Sequence, residues 1–363
     1  MISKACVVGI YQRKLELMAQ HADVQLTLVV PPSWRDPSGE LRLERAYVQG
    51  YEMRVEPIRF NGNYHLHYFP TLPKLLREIQ PDIVHIDEEP YNFASWHALW
   101  HTRRIMPMAK TLFFSWQNIT RRYPLPFSAG ESWVLKHIDG AIMGTESAAQ
   151  VWQEKGYRGP CAVIPQFGVD PEVFHPIDRP PNPEPVIGFV GRLRREKGVD
   201  LLMLALAKLQ KRWRLHIIGQ GPERDSLERL ARDLDIRERV WFAGHVPSTQ
   251  MAELYPQLDA LVIPSRTLPN WKEQFGRVIV EAMACGVPVI GSDSAAIPDV
   301  IGDSGLIFPE DDVDLLATAL DAVLTRPEVH ATLAERGRQR VLSSFTHARV
   351  AALTIDVYRS LLE

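Results

Sequence analysis

The sequence has little cysteine, no excess of charge of one sign and no long hydrophobic run. Its three cysteines, Cys6, Cys161 and Cys285, are far apart and match no metal-binding spacing, so neither a disulfide framework nor a structural metal site is expected. Lys and Arg total 41 and Asp and Glu total 44, for a net charge of −3, which argues against a broad basic face for nucleic acid. No run of about 18 apolar residues occurs, so no membrane span is expected.

Several common enzyme signatures are also absent. A turn at Gly219 has Arg224 where a dinucleotide fingerprint needs its third glycine. Neither a G-x4-G-K-[ST] phosphate loop nor a G-x-S-x-G nucleophile elbow occurs. His65 and His67 have no neighbouring carboxylate, and the acidic run 310–314 fits a helix cap better than a metal site. We therefore expect no P-loop enzyme, no hydrolase of the elbow type and no bound metal.

The chain alternates short apolar segments with longer helical patterns. Its 363 residues, 45% of them apolar, suit about two globular domains. Most apolar segments are continuous rather than alternating, which is typical of parallel strands buried on both faces. Repeated strand–helix units predict a doubly wound α/β fold. The predicted strands are 5–10, 24–30, 82–86, 111–115, 141–145, 162–164, 186–190, 215–218, 240–242, 260–264, 287–291 and 306–308. The main predicted helices are 200–211, 223–234, 275–284, 312–325, 328–344 and 347–362.

A proline-rich segment divides the two halves. Residues 175–185 contain five prolines, and proline excludes both helix and central strand. We predict an N-terminal domain over 1–175, a linker over 176–185 and a C-terminal domain over 186–344. The last predicted helix, in the segment 345–363, is expected to fold back onto the first domain.

The sharpest local signal is a pair of glutamates around the start of an apolar helix. Glu273 precedes the helix predicted to begin near Phe275 and Gly276, and Glu281 lies in its middle. The two carboxylates stand roughly 12 Å apart along a helix, about the reach from a sugar ring across a diphosphate to a ribose. Backbone N–H groups at the helix start, including those of Arg277 and Val278, form an anion site between them.

This spacing predicts a nucleotide-sugar site: Glu273 for the sugar, the helix start for the diphosphate and Glu281 for the ribose. Gly276 would let a phosphate approach the backbone closely. The alternative is that Glu281 forms a buried pair with an arginine and that Glu273 is a solvated cap.

The full string around these glutamates resembles a known family. Glu273 and Glu281, with the sequence AMACGVPV after the second, resemble the E-x7-E signature of retaining glycosyltransferases of family 4, which have the GT-B fold. The segment 188–202, GFVGRLRREKGVDLL, is similar to the G-R-L-x-x-E-K-G stretch of that family. The resemblance is strong over roughly 186–310 and loose over the first half.

The resemblance implies two doubly wound Rossmann-like domains facing a cleft, with the donor held mainly by the second. It implies that Arg192 and Lys197 bind the donor diphosphate, whose growing charge they would stabilise as it leaves. Glu273 would position the sugar, while Phe275–Val278, Glu281 and Gly219 would complete the donor site. Members of the family generally need no metal to bind the diphosphate, so no cofactor is expected. The implied activity is retaining transfer of a hexosyl group to a hydroxyl.

The first domain departs from the family pattern. The turn after its first predicted strand has one glycine, Gly9, as a donor-phosphate candidate. Relatives carry His-x-His after the strand that matches 82–86, but here Asp87 replaces the second histidine. Asp87 and Glu88 are therefore candidates for contacting the acceptor or the sugar, and a strand-end cap is the equal alternative. The loop before Glu273 is also longer than usual and carries Trp271, which would stack on a substrate or simply pack.

The predicted partners are a nucleotide-sugar donor and a hydroxyl acceptor, which is a glycan, a lipid-linked molecule or a small molecule. Polysaccharide or glycoconjugate synthesis in the cytoplasm is the expected setting. Arginines at 103, 104, 121 and 122 among aromatic residues leave peripheral contact with the inner membrane face open. Two other functions stay open: another GT-B enzyme, such as a sugar-nucleotide epimerase or a phosphorylase, and a non-catalytic sugar-nucleotide-binding protein.

Overall fold

The computed structural model describes residues 1–36, 39–247 and 250–363. The chain forms two compact units: unit 1 comprises Met1–Gly168 with His347–Glu363, and unit 2 comprises Val169–Thr346. The predicted boundary at 175 and the predicted linker at 176–185 both lie inside unit 2. There Arg179 and Asn182 bind the carboxylate of Asp259 at 2.8 and 2.7 Å, which fastens the proline-rich segment to that unit. Within the described ranges, no helix has the length and hydropathy required to cross a bilayer.

Unit 1 is built on parallel strands flanked by helices. One sheet has the order β5-β6-β7-β8, and β1 pairs with β4 beside it. A short antiparallel hairpin of β2 and β3 stands apart. The strands are β1 Thr27–Val30, β2 Ser33–Asp36, β3 Gly39–Arg42, β4 Glu52–Val55, β5 Ile83–Ile86, β6 Lys110–Ser115, β7 Gly140–Met143 and β8 Cys161–Val163. The helices are α1 Arg13–Met18, α2 Leu72–Ile79, α3 Phe93–Ile105, α4 Phe127–His137 and α5 Glu146–Glu154.

The first predicted strand, 5–10, is wrong. Only Ile2 pairs like a strand residue in this region, bridging Val29 on β1 and Ile86 on β5. The apolar residues that follow form 3-10 turns over Ala5–Val7 and Gly9–Gln12. Cys6 and Val7 are buried there, in a core cluster with α1 and β1, so an apolar run indicates burial here rather than a strand.

Unit 2 contains one six-stranded parallel sheet of order β11-β10-β9-β12-β13-β14. Its strands are β9 Val186–Val190, β10 Arg214–Ile218, β11 Val240–Gly244, β12 Ala260–Ile263, β13 Val289–Ser292 and β14 Leu306–Phe308. Its helices are α6 Val199–Ala207, α7 Arg224–Asp233, α8 Met251–Leu254, α9 Arg277–Ala284, α10 Ile297–Ile301, α11 Val313–Thr325 and α12 Pro327–Ser344. The α/β class with parallel sheets is confirmed, and nearly every predicted strand of this half matches.

The last helix, α13 His347–Leu362, belongs to unit 1 although it follows unit 2 in sequence. Ala351 and Ile355 are buried against the core residues of α1 and β1. The hydroxyl of Tyr358 bonds to Nδ1 of His85 on β5 at 2.7 Å. The prediction that the final helix folds back onto the first domain is therefore confirmed.

Candidate functional site

The strand order of unit 2 reverses between β9 and β12, which is where open α/β sheets bind ligands, at the carboxyl ends of the strands. The loop after β9 runs over 191–198, and the loop after β12 runs over 264–276. All predicted donor-site residues except Gly9 and Gly219 lie on these two loops or on α9. Motifs that are far apart in the sequence are thus brought to one edge of one sheet.

The two loops are fastened together through their backbones. Gly198 adopts the left-handed conformation, φ +64, directly after a 3-10 turn, and a Cβ at this position would collide with the carbonyl oxygen of Pro264. The N–H of Arg266 donates to the carbonyl oxygen of Glu196 at 2.8 Å. Because only glycine permits this approach, the position of the 191–198 loop is defined by the loop after β12.

Gly219 supports the same loop from its other side. It follows β10 with φ +143, and a Cβ there would collide with the carbonyl oxygen of Gly191. The N–H of Gly191 donates to Ile218 at 3.0 Å, and that of Leu193 donates to Gln220 at 2.9 Å. Gly219 therefore shapes the backbone next to Arg192, while its direct contact with a donor stays a prediction.

Lys197 and Glu273 meet at this edge. The ammonium of Lys197 lies 2.5 Å from Oε2 of Glu273, and the two side chains are 22% and 12% exposed. The hydroxyl of Ser265 lies 3.4 Å from the same carboxylate oxygen, so Glu273 is not the solvated cap of the alternative interpretation. Arg192 is exposed on the loop that ends at Lys197. Both cations predicted to bind a diphosphate therefore stand at the carboxyl edge of the sheet.

Helix α9 begins at Arg277, slightly later than predicted. Gly276, which precedes it, has φ +74, a left-handed conformation that cannot continue into a right-handed helix. Phe275 is buried and packs edge-on against Phe345 at 5.8 Å. The predicted anion site at Arg277 and Val278 therefore lies at the first two residues of α9, directly after Gly276, and its binding of a phosphate stays a prediction.

Glu281 lies on the buried side of α9. Its carboxylate is bound by Nε of Arg277 at 2.9 Å and by the hydroxyl of Tyr255 at 2.7 Å. Burial raises the pKa of Glu281, and the nearby Arg277 charge opposes that rise. The arginine pair of the alternative interpretation is thus present, and ribose binding by Glu281 stays a prediction. Tyr255 was not identified from the sequence, because no local pattern links a tyrosine to a glutamate on another element.

The acidic run before α11 is used within unit 2. Asp312 caps the helix by accepting a hydrogen bond from the N–H of Leu315 at 2.8 Å, as predicted. Glu310 binds Thr267, and Asp311 binds Arg266 at 2.6 Å. These carboxylates therefore fasten the long loop after β12.

In unit 1 the predicted acceptor-side residues follow β5 and are engaged by their own chain. Asp87 accepts hydrogen bonds from the hydroxyl of Ser3 at 2.5 Å and from the amide of Gln166 at 2.7 Å. Glu88 forms an ion pair with Lys4, and Nε2 of His67 lies 3.2 Å from its other carboxylate oxygen. Burial raises the pKa of Glu88, but the charges of Lys4 and His67 outweigh it and hold the pKa at about 2.

Glu89, the next residue along the chain, and Gly9, the predicted donor-phosphate candidate, are also bound within unit 1. Glu89, which no sequence pattern singles out, accepts hydrogen bonds from the hydroxyl of Ser115 at 2.5 Å and from the N–H of Trp116 at 2.9 Å. Burial raises its pKa to about 7 against these hydrogen bonds. The N–H of Gly9 donates to Glu44 at 2.6 Å, and a Cβ on Gly9 would collide with Ala46. Packing therefore accounts for this glycine, and its contact with a donor stays a prediction.

The chain is thus a two-unit α/β protein in which Lys197 and Glu273 meet at the carboxyl edge of the second sheet. The family model described as "Glycosyl transferases group 1" matches residues 171–340, and the model described as "Glycosyltransferase Family 4" matches residues 15–173. The chain belongs to glycosyltransferase family 4, which has the GT-B fold.

Individual relatives agree with this assignment. A curated D-inositol 3-phosphate glycosyltransferase from Mycobacterium marinum is 34% identical over 214 residues, which make up 54% of this chain and 44% of that protein. The matched segment thus spans less than half of this relative. Sucrose-phosphate synthase from Thermosynechococcus elongatus superimposes with a TM-score of 0.71 at 23% identity, over 99% of this chain and 98% of the other. Anabaena HepE, solved with UDP-glucose, gives 0.67 at 16% identity, over 99% and 98% of the two chains. Both solved structures have the same fold as this chain.

Proposed function

We propose that this protein is a retaining glycosyltransferase that moves a hexosyl group from a nucleotide-diphosphate sugar to a hydroxyl of a glycan, a lipid-linked molecule or a small molecule. The observation that carries the proposal is the meeting of Lys197 and Glu273 at the start of α9, 2.5 Å apart at the switch point of the sheet. A cation, a carboxylate and helix amides are what a diphosphate and a sugar together require.

In this proposal the donor diphosphate lies against the N-terminal end of α9. Lys197 exchanges Glu273 for a phosphate oxygen, and Arg192 approaches from the exposed part of its loop. As the bond between the anomeric carbon and the phosphate oxygen breaks, negative charge grows on the leaving diphosphate, and these groups stabilise it. Glu273, released from Lys197, positions the sugar and supports the positive charge that develops on its ring.

Retention of configuration follows if the acceptor oxygen attacks the face from which the diphosphate departs. The leaving phosphate oxygen then takes the acceptor proton, so no separate base is required. The similar D-inositol 3-phosphate glycosyltransferase supports glycosyl transfer, and HepE, which has the same fold and was solved with UDP-glucose, supports a nucleotide-sugar donor. We place the reaction in cytoplasmic polysaccharide or glycoconjugate synthesis, without a metal cofactor.

The test begins with binding. The full chain is heated with UDP-, GDP-, ADP- and TDP-sugars in the presence of EDTA, because a ligand that binds the folded state raises its melting temperature. The donor that shifts the wild-type protein is then incubated with a mixture of acceptors, and the anomeric configuration of the product is read by NMR.

The proposal is supported if wild type transfers the sugar with retention of configuration, if Lys197→Ala loses this activity and if Lys208→Ala keeps it. Lys208 is a matched control because it is an exposed lysine paired with Asp314 at another part of unit 2. Inversion of configuration, donor conversion without an acceptor, or cleavage that requires phosphate would overturn the proposed reaction. Tight binding without turnover would indicate a non-catalytic protein.

A further inference from the structure

The long loop after β12 is an ordered part of the donor edge. The guanidinium of Arg266 binds both carboxylate oxygens of Asp200 on α6 at 2.7 Å each, and its Nε binds Asp311 at 2.6 Å. These carboxylates raise the pKa of Arg266 above its ordinary value, with hydrogen bonding to Asp200 as the largest cause. The hydroxyl of Thr267 bonds to Ser294 at 2.9 Å. The loop is therefore fastened to α6 and to the segments after β13 and β14.

The part of this loop after Thr267 forms a tight turn that places the indole ring of Trp271 next to Lys197. Leu268 and Trp271 exchange backbone hydrogen bonds at 2.8 and 3.1 Å, which closes a tight turn. The ammonium of Lys197 lies 4.7 Å from the centroid of the Trp271 ring. Lys197 thus has two partners, the carboxylate of Glu273 and the ring of Trp271.

The two partners of Lys197 differ in whether they neutralise its positive charge. A carboxylate neutralises the ammonium, so Glu273 must give way before a phosphate can take its place. An aromatic ring attracts a cation through its quadrupole and carries no net charge, so the ring contact survives the exchange. The full positive charge of Lys197 is then available to the leaving diphosphate. Such a leaving group is stabilised best by groups that are already held in position before the reaction.

We propose that Trp271 is a positioning residue for Lys197, holding its ammonium at the start of α9 before and during diphosphate binding. The alternative, in which Trp271 stacks directly on a substrate, predicts an effect that does not depend on Lys197. This inference rests on the proposed function for its binding readout, but the contact itself can be observed without any ligand.

The binding test is a double-mutant cycle on the full chain. Affinity for UDP, GDP, ADP and TDP is measured for wild type, Trp271→Leu, Lys197→Ala and the double variant, with Trp271→Phe as the conservative change. Trp241→Leu is the control, because Trp241 is half exposed on the edge strand β11 and packs on His216. We expect Trp271→Leu to weaken binding about 2- to 30-fold, the range of a cation–π contact. Trp271→Phe should keep most of the affinity, and Trp271→Leu should add no loss in the Lys197→Ala background.

The ligand-free test uses protein whose lysines carry reductively added ¹³C-methyl groups, which keep the positive charge. The Lys197 signal is the one that Lys197→Ala removes. We expect the indole ring to displace it upfield in wild type, and Trp271→Leu to return it to the position of exposed lysines such as Lys208.

The outcomes separate the two proposals. Equal losses from Trp271→Leu in both backgrounds, or an undisplaced Lys197 signal, would overturn the positioning role. If wild type binds none of the nucleotides, the proposed function fails, and the NMR signal alone decides whether Trp271 holds Lys197.

Discussion

The carboxyl edges of the two sheets carry charged residues in opposite states. In unit 2, Arg192 is exposed and the Lys197–Glu273 pair is partly open to solvent. In unit 1, Asp87 and Glu88 are only 5% and 3% exposed and are bound by side chains of their own unit. The same fold position thus holds charges that are partly open to solvent in unit 2 and carboxylates enclosed by their own unit in unit 1.

The difference follows from how each charge is stabilised. An exposed or half-exposed ion pair contributes little to stability, because water solvates both partners when they part. A buried pair has been removed from water, so each partner depends on the other. We infer that the charges at the edge of unit 2 serve binding and that the charges at the edge of unit 1 maintain the fold.

The largest expected effect on stability lies in unit 1. Glu88→Gln removes the negative charge that faces Lys4 and His67 and leaves them without their buried partner. We expect a loss of about 3–5 kcal/mol in the free energy of unfolding, measured by urea denaturation at pH 7. Glu78→Gln, which affects the exposed Lys74–Glu78 pair in the same unit, is the control and should change little. A loss below about 1 kcal/mol in Glu88→Gln would erase the contrast between the two edges.

The matching change in unit 2 should affect activity instead. Glu273→Gln keeps the size of the side chain but removes the charge that pairs with Lys197 and supports the sugar. Rates of transfer should fall about 10²–10³-fold, as when one preorganised electrostatic group is lost. The free energy of unfolding should fall by less than in Glu88→Gln, since the side chains of Lys197 and Glu273 are 22% and 12% exposed whereas that of Glu88 is fully enclosed. Strong destabilisation with normal transfer by the remaining folded protein would show that both edges are structural.

The sequence predicted unit 2 better than unit 1 for a physical reason. Strands such as Val186–Val190 and Leu306–Phe308 are short apolar runs between helices, and the structure has them within the predicted limits. In unit 1 the segment 5–10 is also largely apolar but forms 3-10 turns. The hairpin of Ser33–Asp36 with Gly39–Arg42 is polar and mostly exposed. An apolar run therefore predicts a buried segment. It predicts a strand only where the buried segment also has an extended backbone.

The candidate site shows the same limit. Lys197 was singled out by its resemblance to the family motif, and Glu273 and the start of α9 were singled out by a short local pattern, a carboxylate directly before a helix N-terminus. Tyr255 bonding to Glu281, Arg266 bonding to Asp200 and Trp271 facing Lys197 join elements that are distant in sequence. Such pairs depend on the relative placement of loops, which a single sequence does not specify. The sequence shows that the loop before Glu273 is longer than usual, but it does not show which side-chain contacts hold that loop in place.

Glu89 at the edge of unit 1 should make the stability of the protein depend on pH. Burial raises the pKa of Glu89 from 4.5 to about 7, so the folded unit holds this proton more tightly than the unfolded chain does. The resulting stability is fully present below pH 4.5 and is lost as the pH rises through 7. Glu89→Gln mimics the protonated form at every pH. Relative to this variant, wild type should lose about 2.5 kcal/mol of unfolding free energy between pH 5 and pH 8, as measured by urea denaturation. Parallel pH profiles would mean that Glu89 is not a buried titrating group.

The smallest expected effect comes from the fastening of the long loop in unit 2. Arg266→Ala removes the contacts with Asp200 and Asp311, whose side chains are 41% and 64% exposed. Because both partners can return to water, the loss of stability should be about 1 kcal/mol or less. The loop would then hold Trp271 and Glu273 less firmly, so the KM for the donor should rise several-fold. Arg224→Ala, which breaks an exposed pair with Glu228 on α7, is the matched control and should leave the KM unchanged. A stability loss as large as that of Glu88→Gln would place Arg266 among structural charges and show that the donor edge, too, is held together by ion pairs.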